Sequence, residues 1–118
     1  MRSWAFLALL AAVLAAFVMV PTQAAKASAS HILVPTEDEA LKLKDRVAEG
    51  EDFADLAKQH SKCPSKGRGG ALGSFGPGQM VPEFNDVVFG KDYEVGVVHG
   101  PVKTQFGYHL ILITERDL

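Results

Sequence analysis

Gly107-Tyr108-His109-Leu110-Ile111-Leu112-Ile113-Thr114 is the strongest strand signal in the chain. Its counterpart near the start is Ser30-His31-Ile32-Leu33-Val34, β-branched and apolar with polar residues only at its head. These two are the most apolar strands in the sequence, so they belong side by side in the centre of one sheet. Working outward, Val97–Thr104 reads as a strand, and Pro101 within it implies a sheet edge. A fourth, short strand fits Ala71–Phe75.

Helical patterns fill the space between. Pro35 ends the first strand, and Thr36-Glu37-Asp38-Glu39 is a T-x-x-E capping box. The helix runs to about Glu49, with Ala40, Leu43 and Val47 on one face, Leu41 and Ala48 beside it, and Gly50 at its stop. Asp52 caps a second helix whose apolar face is Phe53, Leu56 and Ala57. Pro82 and Gly90 bracket a third, with Phe84, Val87 and Val88 on one side. The order β-α-α-β-α-β-β does not alternate regularly, so the class is α+β rather than parallel α/β.

The chain has 118 residues, which suits one domain. Its first part stands apart: Arg2, an uncharged, mostly apolar run from Ser3 to Val20, then Pro21 and the small-residue patterns Ala25-Lys26-Ala27 and Ala27-Ser28-Ala29. This reads as a signal peptide over 1–27, cleaved between 24 and 29, followed by one domain over 28–118. The alternative is an uncleaved membrane anchor, since the run approaches the roughly 18 residues a span needs. The destination is then the secretory pathway or an extracytoplasmic space, with no membrane contact after cleavage. Setting aside Arg2 and Lys26 takes the 12 basic residues to 10, against 14 acidic, and the net charge from −2 to about −4. Nothing in that balance favours nucleic acid, which wants a basic face, so no nucleic-acid partner is expected. Export favours disulfides, yet Cys63 is the only cysteine.

Between the second and third helices lies Ser61–Phe84, SKCPSKGRGGALGSFGPGQMVPEF, which joins six glycines to a thiol and to Leu72, Met80 and Phe84. Those apolar residues are ordinary core or the walls of a slot with a polar rim, the usual anatomy of a small-ligand site. His31 and His109 fall in neighbouring strands and can share a face. They are two core histidines bonded to each other, or half a metal site that lacks a third and fourth ligand. Lys62, Lys66 and Arg68 near Cys63 would favour a thiolate, so a Cys/His nucleophile is a further reading.

With these residues assembled, the chain resembles the parvulin-type peptidyl-prolyl cis/trans isomerases, from about Ala29 to Arg116. Ser30–Val34 resembles the family's opening strand, and Phe53–Ala57 through Ser61–Ser65 its second helix and following loop. Gly69–Gly73 and Gly78–Phe84 resemble the middle motifs, and Gly100–His109 the closing motif. The resemblance is greatest to small single-domain members. It implies a four-stranded antiparallel sheet surrounded by helices, the parvulin form of the FKBP-like superfold. It also implies a catalytic set of His31, Cys63, Thr104 and His109, and a proline pocket of Leu72, Met80, Phe84 and Phe106. No cofactor or metal is implied. The partners would be proline-containing segments of client proteins, met by a monomer. Two departures stand out: Ala71 where the family often has an acid, and an acidic Pro35–Glu39 where phosphoprotein-specific members are basic. Selectivity for phosphorylated residues is therefore not expected.

These residues suit the reaction. Rotation about a prolyl amide faces a barrier near ~20 kcal/mol but breaks no bond. A clamp on the ring, removal of water from the carbonyl and polar groups at the rim lower it by positioning and electrostatics. Cys63 then acts as a polar wall. The alternative from another class is a non-catalytic proline-peptide-binding chaperone module using the same slot.

Overall fold

The computed structural model describes residues 25–118, so most of the expected leader lies outside the described residues. The chain forms β1 (Lys26–Val34), α1 (Glu37–Ala48), α2 (Phe53–His60), a 3-10 turn (Pro64–Arg68), β2 (Ala71–Phe75), α3 (Pro82–Val88), β3 (Val98–Thr104) and β4 (Gly107–Asp117). All strand pairs are antiparallel, in the order β2-β1-β4-β3. The two apolar strands are central, as expected. Pro101 sits on an edge strand, where the register shifts between His99 and Val102.

β1 begins at Lys26, four residues before the sequence pattern suggests. Lys26, Ala27 and Ser28 pair with Asp117, Arg116 and Glu115 of β4. Small residues carry little intrinsic strand preference, so only the partner strand reveals this extension. Ala27 and Ala29 are buried there. The 3-10 turn is a second feature absent from the sequence reading.

Both faces of the central strands are covered. One face sends Ile32, Val34 and Leu110 against Ala40 and Leu43 of α1 and Phe53, Leu56 and Ala57 of α2. The other sends Ala27, Ala29, Ile111 and Ile113 against Phe75 of β2 and Phe84, Val87 and Val88 of α3. That is why Leu110–Ile113 is a continuous apolar run: alternate residues face two different cores. Thr36 Oγ1 accepts from the Glu39 N–H at 3.3 Å and Asp52 Oδ2 from the Asp55 N–H at 3.2 Å, so α1 and α2 start at their expected caps. Leu41, beside the apolar face of α1, stays exposed.

Candidate active site

Strand register builds the centre of the site. His31 lies opposite Ile111, and His109 opposite Leu33, so the two histidines are diagonal neighbours on the α3 face. Their rings lie 16° from parallel, and their Nδ1 atoms are 3.0 Å apart. Only one of those nitrogens can carry the shared proton. Thr104, in the last position of β3, reaches His109 Nε2 with its hydroxyl at 2.7 Å. Thr104 Oγ1 in turn accepts from the Phe106 N–H at 3.1 Å. The ordering that satisfies most groups has Thr104 donating to His109 Nε2, and His109 Nδ1–H donating to His31. His31 Nε2 is then the one imidazole nitrogen left without a partner.

Burial keeps both rings neutral. It lowers His31 from its ordinary 6.5 to about 4, helped by the neighbouring His109. Burial also lowers His109, partly offset by the Glu83 carboxylate. Phe84 of α3 stands edge-on to both rings, with centroids 5.6 Å from His31 and 5.9 Å from His109.

Above this floor is a slot of about 450 Å³. His31 and His109 line it, together with the apolar Leu72, Met80 and Phe84 and with Cys63 and Phe106. Seven of the eight residues singled out in the sequence thus meet in one cavity. Thr104 is the eighth and lies beneath, bonded to His109. Sequence reasoning missed Leu33, Lys62, Pro64 and Val81, which also line the slot. Another concavity, of about 420 Å³, lies at the Lys26 and Asp117 end of the central strands and holds none of these residues.

The family model for the PPIC-type peptidyl-prolyl isomerase (rotamase) domain matches residues 18–115. The chain belongs to this parvulin family. The parvulin chain is 50% identical over 93 residues to the foldase protein PrsA of a Geobacillus species, covering 78% of this chain and 33% of that one. It is also 50% identical over 92 residues to PrsA 4 of Bacillus cereus. It therefore spans about a third of the length of the curated relatives it matches. Among solved structures, the peptidyl-prolyl isomerase PrsA of Bacillus anthracis matches with a TM-score of 0.75 at 39% identity, over 80% of this chain and 43% of that one. NmPin, the parvulin of Nitrosopumilus maritimus, matches with a TM-score of 0.69 at 40% identity, over 78% of this chain and 98% of that one.

Local bonds explain how this parvulin domain holds its loop residues. Ser61, buried after α2, accepts at Oγ from the Leu33 N–H at 3.0 Å and the Cys63 N–H at 3.3 Å. The Lys62 N–H donates to Leu33 O at 2.7 Å. Ser61 thus pins Cys63 to the end of β1; a serine two residues before a cysteine is too common a pattern to have signalled this. Across the slot, Gly76 N–H donates to Gln79 Oε1 at 2.7 Å and Gly78 N–H to Asn85 Oδ1 at 2.8 Å, which sets the turn that presents Met80.

The glycines of the loop suggest close passage of a substrate backbone, but the tightest approach is internal. Gly70 has φ +85, and a Cβ there would strike the His31 carbonyl oxygen. Its own carbonyl accepts the His31 N–H at 3.0 Å. Gly70 lets β2 press against the strand that carries the histidine.

Proposed function

We propose that the chain accelerates cis/trans rotation about Xaa-Pro bonds in extracytoplasmic client proteins, by a non-covalent mechanism. The observation that carries this is the apolar slot laid over a buried, neutral His31–His109–Thr104 floor. Leu72, Met80, Phe84 and Phe106 clamp the proline ring. The low-dielectric slot favours the twisted amide, whose resonance and dipole are reduced. Cys63 is a polar wall beside the carbonyl, and Thr104 orders the histidine pair from below. Each ~1.4 kcal/mol removed from the barrier gives a tenfold rate.

Two features argue against a Cys63 nucleophile. Among the described residues no hydrogen bond joins Cys63 to either imidazole; His109 is engaged by His31 and Thr104 instead. His31, at about 4, is also a poor base at neutral pH. The acidic first turn of α1, Glu37, Asp38 and Glu39, speaks against phosphate selectivity. The relatives named foldases support folding clients, and a structural neighbour whose description names a periplasmic protein supports export. Processing N-terminal to Lys26 would leave β1 whole.

A binding-only module is the second reading, favoured by a structural neighbour described as a SurA-like chaperone of Campylobacter jejuni. Two-dimensional exchange NMR on an unphosphorylated Ala-Leu-Pro-Phe peptide separates the two. Cis/trans exchange cross-peaks that appear with the protein and shrink with Met80→Ala establish the isomerase. Shifts and broadening without exchange cross-peaks establish the binding module.

A further inference from the structure

Beside the apolar slot is a smaller cavity of about 160 Å³, lined by Val81, Pro82, Glu83 and Gln105. Val81 lines both, so the two spaces are neighbours. Each polar residue of the small cavity is next in sequence to a wall of the slot. Glu83 precedes Phe84 at the start of α3, and Gln105 lies between Thr104 and Phe106 in the β3–β4 turn. Both are exposed. The one ion pair among the described residues is Arg46–Glu51 on the far side of the sheet, so Glu83 has no cationic partner there. Its field nonetheless reaches the site, because it raises the proton affinity of His109. Lys62, next to Cys63, is the one cationic side chain lining the slot itself, whereas the small cavity is lined by no cation.

We propose that Glu83 and Gln105 form a polar subsite that takes a basic side chain, lysine or arginine, adjacent to the substrate proline. This rests on the isomerase reading. The carboxylate accepts from an ammonium or guanidinium, and the Gln105 carboxamide oxygen adds an acceptor beside it. Consecutive Cα atoms are about 3.8 Å apart, so with the proline in the slot its immediate neighbour reaches the adjoining cavity. The subsite is open to water, so it sets a preference of several-fold rather than of orders of magnitude. The rival role for Glu83 is structural: an acid in the first turn of a helix is favoured by the helix dipole. That role affects melting but not substrate choice.

The test is exchange NMR at low salt with the full chain and two peptide sets, Ala-Xaa-Pro-Phe and Ala-Ala-Pro-Xaa, with Xaa as Lys, Gln or Glu. The subsite requires Lys to exceed Glu by about 3–10-fold at one of the two positions. There E83Q brings the ratio close to one and E83K inverts it, while Q105A lowers it by a smaller factor. Equal rates for Lys and Glu at both positions, or a Lys preference unchanged in folded E83Q and E83K, overturn the proposal. If no peptide exchanges faster with the protein, the isomerase reading itself falls, and the subsite with it.

Discussion

The α1/α2 face and the α3 face of the sheet share strands β1 and β4, yet only the first is closed. On the closed face Ile32, Val34, Leu110 and Ala57 have no exposure, under two helices with side-chain caps. On the open face α3 has seven residues and no side-chain cap, and its entry rests on Pro82 and on turn bonds from Gly76 and Gly78. Leu72, Met80 and Val81 remain only partly buried there. His31 and His109 occupy inward positions that carry aliphatic side chains elsewhere on the same strands. The α3 face is also fully buried at Val88, Ile111 and Ile113, and the slot opens where that coverage stops, at Leu72, Met80 and Val81.

The largest effect that would break this contrast lies on the closed face. Leu56 is 1% exposed. Leu56→Ala should cost about 2–5 kcal/mol in urea unfolding, with the isomerisation rate per folded molecule unchanged. A comparable loss of rate would mean that the two faces are not separable.

Acid comes next and acts through the open face. His31 has a folded value of about 4 against 6.5 when unfolded, so the unfolded chain binds the proton more readily. The resulting stability is complete above about pH 6.5 and is lost as pH falls from there towards 4. The loss is about 3 kcal/mol. Urea midpoints measured across that range should fall, and His31→Leu should flatten the decline.

Met80→Ala sharpens the contrast in the opposite sense to Leu56→Ala. The side chain lines the slot and is only partly buried, so melting should change by less than about 1.5 kcal/mol. The rate should fall at least about tenfold, equivalent to ~1.4 kcal/mol in the barrier. The smallest effect is at the α1 cap: Thr36→Ala should cost about 1 kcal/mol and leave catalysis intact.

Much of this design is legible in the linear chain. Apolar strands, the caps Thr36 and Asp52, and the prolines at Pro82 and Pro101 are local signals with local causes. The grouping of His31, Cys63, Leu72, Met80, Phe84, Phe106, Thr104 and His109 came from ordered motifs spread over the whole domain. Less legible were Ser61, which holds the Cys63 loop through two bonds to its oxygen, and Val81, which lines two cavities. Each is an ordinary residue whose role depends on what lies opposite it.

By itself the sequence determined the α+β class and the central pair of strands, because periodicity, capping and β-branching act over a few residues; the slot's walls were legible only through motifs that resemble a known family. Tertiary structure alone decided three further things. It extended β1 back to Lys26, since Lys-Ala-Ser-Ala becomes a strand only against β4. It set the diagonal register that brings two Nδ1 atoms to 3.0 Å and buries both rings. It also placed Gly70 against the carbonyl of His31. Register and burial arise from contacts between residues far apart in the chain, and no local pattern encodes their distances.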